Sequence, residues 1–189
     1  MQSCRPTSHL NQRVWRSIMA YKKLSDLRTR GGNWNIQVKV MIMWESINPT
    51  TDELISLDMI LMDEEGQTIH AFTWKNLIDT FRSKIKEQSI YAFNNLKVVE
   101  SMKCRPTSNE NKIFFAYNTK VKEVKGSAEV FPDFYFSFTT KETLQERAEK
   151  DIQCADVVGL LTQMKPVEKD LFFDSSSMIV TSALAHKIS

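Results

Sequence analysis

Residues 68–74 set an imidazole and two aromatic rings at two-residue spacing, His70, Phe72 and Trp74 alternating with Ile69, Ala71 and Thr73. Side chains of an extended strand point alternately to opposite faces, so each set shares one side. A sheet that is aliphatic on its inner side, with two rings and an imidazole outside, offers a platform for flat ligands. Another ring, Phe114, adjoins Phe115; one of the two must face a core, and alternation puts Phe114 outward. Catalytic spacing is missing. His9, His70 and His186 make no metal-ligand pattern with Cys4, Cys104 or Cys154. The five glycines, at 31, 32, 66, 126 and 159, form no phosphate-cradling loop. Asp58 and Asp63 have no base or nucleophile beside them in the sequence. The expectation is a protein that is not an enzyme, with no metal and no cofactor.

The elements that must position these groups can be read from periodicity. Leu57, Met59 and Leu61 alternate with Ser56, Asp58 and Ile60, as in a strand with one buried face. Asp63-Glu64-Glu65-Gly66 then turns the chain, with Gly66 supplying positive φ and the acids solvating the tip. Upstream, Trp34, Ile36, Val38, Val40 and Ile42 face one way and Asn35, Gln37, Lys39 and Met41 the other. Trp34 and Trp44 are assigned to core and strand-end packing. Leu77, Ile78, Phe81 and Ile85 fall at helical spacing. A strand over 90–99 has mixed parity, which a bulge near Asn94-Asn95 would explain. A last long strand spans 112–124. The order β-β-β-α-β-β predicts a mainly β fold, a five-stranded Greek-key OB-fold barrel with one helix between strands three and four.

The flanks are divided as follows. Residues 1–18 are a polar, basic extension expected to be disordered, and Met19 is a second candidate start. The barrel domain is placed at 20–125. Residues 126–153 are a packing segment and linker, in which Phe131-Pro132 and Phe134–Phe138 lie back on the barrel. Residues 154–189, including ADVVGLL at 155–161, are the incomplete start of a second unit or a tail.

Net charge is +2, unevenly spread: residues 51–70 hold six acids and no Lys or Arg, whereas 101–125 hold six Lys/Arg against two acids. Such asymmetry can steer a polyanion to one side. Three cysteines without a CxxC pair, no signal sequence and no long apolar run predict a soluble protein of a reducing, intracellular compartment with no membrane partner.

The blocks WNIQVKV, LDMILMDEEGQTIHA, a helix ending DTF, IYAFNNLKVV, KIFFAYN and ADVVGLL, in that order, resemble the first single-strand-binding OB domain of the replication protein A large subunit, in its plant-type form, here truncated. The resemblance runs over about residues 20–164. It implies two base-stacking aromatics, whose matching positions are Trp74 and Phe114. The family's basic contact on the third strand falls on His70, a weaker cation. Its fourth-strand lysine falls on Lys97 and its first-strand basic residue on Lys39. The loop between strands one and two, residues 45–53, is acidic here. Lys75, Arg105, Lys112 and Lys122 complete the cations expected along a backbone.

These residues suit binding of single-stranded DNA, or RNA, by stacking and backbone electrostatics, and the resemblance implies that this binding serves replication, repair or recombination. The resemblance further implies nuclear location and partnership with other replication protein A subunits. With about four phosphates neutralised, log K is expected to fall with log salt at a slope near −3. The alternative is a protein-interaction OB module, or a truncated paralogue with little nucleic-acid affinity.

Overall fold

A computed structural model describes residues 21–102, 105–126, 131–150 and 153–156. The expected extension over 1–18, and all but 153–156 of the C-terminal part from 151 onward, lie outside the described residues. The elements are β1 (Trp34–Ile47), β2 (Leu54–Met62), β3 (Thr68–Trp74), α1 (Ile78–Arg82), β4 (Ile90–Glu100), β5 (Asn111–Phe114), β6 (Lys120–Glu123) and α2 (Lys141–Lys150). Sheet order is β1-β2-β3-β5-β4-β6, and β1 also pairs β4. Strands β1 to β5 therefore close into a barrel, with β3 and β5 parallel and the other pairs antiparallel. This is the expected five-stranded OB-fold, with its helix between the third and fourth strands.

Alternation builds the core. Leu57, Met59, Leu61, Ile69 and Ala71 all turn inward from the β2–β3 hairpin. They meet Ile36, Val38, Val40, Ile113 and Phe115 from the other strands. Ile78, Phe81 and Ile85, on and just after α1, join the same cluster, with the Phe81 ring 5.3 Å from that of Phe115.

Two bulges decide which side chains face outward. In β1 the pairing with β2 steps from Val40↔Leu61 to Ile42↔Ile60, leaving Met41 as the extra residue. Parity flips there. Ile42, expected in the inward row, is exposed, and Met43 packs on the core instead. In β4 the extra residue is Asn95, at φ 61° between the Leu96↔Trp34 and Asn94↔Asn35 pairs. Asparagine is among the residues that best tolerate that conformation. The bulge lets Tyr91, Phe93, Leu96 and Val98 all reach the core.

Three local expectations are corrected. The single long strand over 112–124 is two short ones, β5 and β6, separated by a turn. In it the Ala116 N–H donates to Thr119 Oγ1 and the Thr119 N–H to the Ala116 carbonyl, both at 3.0 Å. Tyr117 is consequently exposed at the turn rather than aligned with Phe115. At the β2–β3 turn Gly66 does adopt φ 77°, but Asp63 is buried rather than solvating the tip. Its Oδ1 accepts the N–H groups of Glu65 (3.0 Å) and Gln67 (2.9 Å), and its Oδ2 that of Leu24 (3.1 Å). One carboxylate thus ties the turn and pins the segment that carries buried Leu24 and Leu27. Finally, the 45–53 loop is shorter than expected, because β1 continues to Ile47.

Candidate nucleic-acid interface

Strand register lays the outward side chains of the barrel in rungs. Trp44, Asp58, Phe72, Phe114 and Lys97 form one rung across β1, β2, β3, β5 and β4. Ile42, Ile60, His70, Lys112 and Val99 form the next. Ser46, Ser56 and Trp74 flank the first rung, and Lys39, Met62 and Thr68 close the opposite end.

Rings run continuously across this face. Trp44 stacks on His70 at 5.9 Å and 12° between planes. His70 lies 6.2 Å from Phe72, and Phe72 lies 5.3 Å from both Trp74 and Phe114. Phe72 is nearly covered and forms the floor; Trp74 is 49% exposed and stands edge-on above it. The Thr73 hydroxyl donates to the Phe115 carbonyl (3.1 Å), and the Phe115 N–H to the Phe72 carbonyl (2.9 Å). These bonds hold Phe114 beside Phe72 while Phe115 enters the core.

Charge on the face is mixed. The Lys112 ammonium sits 4.8 Å over the Phe72 ring, a cation–π contact. Lys97, beside Phe114, and Lys75, next to Trp74, are exposed. Asp58 lies in the middle, its Oδ1 2.7 Å from His70 Nε2 and its Oδ2 accepting the hydroxyls of Ser46 and Ser56. Burial pushes the Asp58 carboxyl up, but bonds from His70, Ser56 and Ser46 and the nearby imidazole outweigh burial and hold it below the usual carboxylate range.

Six of the nine expected residues come together: His70, Trp74, Lys75, Lys97, Lys112 and Phe114. Lys39 is on the outward face but only 6% exposed, because its ammonium donates to the Pro132 carbonyl (3.1 Å) and the Asp133 carboxylate (3.3 Å). Arg105 turns away, toward Glu110 at 3.8 Å, and its backbone pairs with the 153–154 segment. Lys122 is on β6 opposite Ala92, far along β4 from Lys97. Trp44 and Phe72 complete the face. Phe72 shares the parity of His70 and Trp74; Trp44 has no sequence signal, because only the Met41 bulge turns it outward. Among the described residues no group of three or more His, Cys, Asp or Glu is placed to hold a metal.

No curated protein matches the chain. Among solved structures it is similar to a chain of a replication protein A heterotrimer bound to single-stranded DNA, at TM-score 0.51 and 19% identity, over 66% of this chain and 29% of that one. It is also similar to an OB domain from Methanosarcina mazei, at 0.44 and 21%, over 60% and 92%. DNA binding domain A of S. cerevisiae replication protein A gives 0.41 and 15%, over 56% and 95%. The chain thus spans less than a third of the length of the heterotrimer chain, and the likeness is one of fold. The family described as a domain of unknown function, DUF223, matches residues 25–147, more than half of the sequence, and the chain belongs to that family.

Proposed function

We propose that the outward face binds single-stranded nucleic acid, DNA in the first instance, without catalysis. The observation that carries this reading is the unbroken path of rings from Trp44 through His70 and Phe72 to Trp74 and Phe114, edged by Lys75, Lys97 and Lys112. Unpaired bases stack on such rings whatever their sequence, and ammonium groups follow the backbone. Each stacked base contributes about 1–3 kcal/mol by alanine substitution, a factor of about 5 to 150 in Kd. With Lys39 engaged by Pro132 and Asp133, three ammonium groups remain on the face, and a salt slope of about −2 replaces the −3 expected from sequence. The resemblance in sequence blocks supports a finer assignment: a counterpart of the first OB domain of the plant-type replication protein A large subunit, nuclear, acting in replication, repair or recombination beside other subunits. Co-purification of such subunits from nuclear extract tests that assignment, and recovery of the protein only outside nuclei ends it.

Fluorescence anisotropy of labelled oligo-dT, titrated with the chain and its Trp74→Ala and Phe114→Ala variants, tests the binding reading. Saturable binding that both substitutions weaken supports it. The protein-interaction alternative draws support from Asp58, an anion in the centre of the face, and from Lys39, already paired; absence of saturable binding by the wild type leaves that alternative standing.

A further inference from the structure

The segment 131–138 departs from the barrel at the Lys39 end of the ringed face. Phe131 is buried, Pro132 lies against the Gly66 turn, and the Pro132 carbonyl and Asp133 carboxylate take the Lys39 ammonium. From there the chain is extended and alternates. Tyr135, Ser137 and Thr139 are half-buried, while Phe134, Phe136 and Phe138 are 75%, 48% and 60% exposed. The Ser137 N–H donates to the Asp156 carboxylate at 2.7 Å, and Phe138 bridges Asp156, which holds the segment in register. The sequence expectation lays Phe134–Phe138 back on the barrel; the segment's contacts with the barrel are at Pro132 and Asp133, its backbone at 137–138 meets Asp156, and the three rings are exposed.

Those rings form a ladder. Phe134 and Phe136 are 6.4 Å apart and 13° from parallel; Phe136 and Phe138 are 5.4 Å apart and 14° from parallel. One base between two parallel faces needs about 6.8 Å, twice the stacking repeat of about 3.4 Å. The first centroid separation is close to that spacing; the second is shorter, and a base entering there must spread the rings. Asp133, the one charged residue in 131–140, is paired with Lys39, and the Asp156 carboxylate beside the ladder accepts the Ser137 N–H.

We infer that Phe134, Phe136 and Phe138 are a second stacking site, which continues the single-strand track from the barrel face past Lys39. The inference rests on the proposed function and extends it to a longer occluded site. A strand leaving the Lys39 end of the face meets the ladder next, and intercalating rings add affinity that a short oligonucleotide never reaches.

The test uses the full chain with oligo-dT of about 4 and about 12 nucleotides, lengths within the range covered by single OB folds. The wild type binds the longer oligonucleotide at least tenfold more tightly. The triple variant Phe134→Ala, Phe136→Ala, Phe138→Ala keeps wild-type affinity for the short one and loses most of the gain on the long one. 2-Aminopurine placed near one end of the longer strand is quenched by the wild type and less so by the triple variant. An unchanged melting temperature shows that the variant folds. Wild-type affinity of the folded triple variant for the long oligonucleotide overturns the inference. So does a wild-type dimer that the triple variant abolishes, since the ladder then faces a second copy. Failure of the proposed function looks different: the wild type binds neither length, and the inference goes with it.

Discussion

Phe114 and Phe115 are neighbours of the same chemistry with opposite surroundings. Phe115 is fully buried, 4.8 Å from Phe93 and 5.3 Å from Phe81. Phe114 is partly open, 5.3 Å from Phe72 and paired across β4 with Lys97. The contrast extends along β2 and β3, where Met59 and Ala71 face the core and Asp58, Phe72 and Trp74 face out. Alternation separates two jobs on the same strands: the inner row holds the barrel shut, and the outer row is left to a ligand. Substitutions on one row should move stability and leave binding determinants in place, and those on the other should do the reverse.

The largest effect is expected on the inner row. Phe115→Ala leaves a cavity between Phe81 and Phe93 and should cost about 3–5 kcal/mol of unfolding free energy, read from urea denaturation. Phe114→Ala, one position earlier, should cost under about 1.5 kcal/mol, since it is partly exposed and makes one ring contact of note. Trp74→Ala sharpens the split: oligonucleotide affinity should fall by about 5- to 150-fold, with little change in melting temperature.

A smaller effect concerns Asp58. Its folded-state carboxyl titrates below the unfolded value, so it contributes stability that is complete above the unfolded pKa, about 3.9, and lost as pH falls through the lower folded value. Wild-type stability should decline below about pH 4, and Asp58→Asn should lack this part of the decline in pH-dependent melts. Smaller again is Lys97→Ala, which should make the salt slope shallower by about 0.7. The smallest is Asp133→Ala. Asp133 is mostly exposed, so losing its pairing with Lys39 should change stability by no more than about 1 kcal/mol. The Lys39 ammonium, then held by the Pro132 carbonyl alone and no longer neutralised by a carboxylate, should strengthen nucleic-acid binding rather than weaken it.

Much of this division was legible in the sequence. Strict two-residue alternation over 56–74 identified both rows of the hairpin, the turn at Gly66 and the outward trio His70, Phe72 and Trp74. Helical spacing of Ile78, Phe81 and Ile85 located the helix between β3 and β4. What alternation misses is a one-residue insertion. The Met41 bulge has no compositional mark, so unbroken alternation places Trp44 in packing and Ile42 in the inward row. The Asn95 bulge was legible only as mixed parity, because four core residues fell on both faces of an ideal strand. Long-range pairings were equally hidden: nothing near Lys39 in sequence announces that Pro132 and Asp133 close over it. Arg105 and Lys122 suit a cationic track by charge, but charge alone carries no direction, and the turn at 116–119 and the 153–154 pairing carry both away from the face.

The division between rows is tested most directly by photocrosslinking the chain to an oligonucleotide of 5-iododeoxyuridine, which couples to rings it stacks on, and mapping the adducts by mass spectrometry. Adducts at Trp44, Trp74 or Phe114, lost when the modified oligonucleotide is competed by unlabelled oligo-dT, are the predicted result. Saturable binding with adducts confined to residues off this face would contradict it.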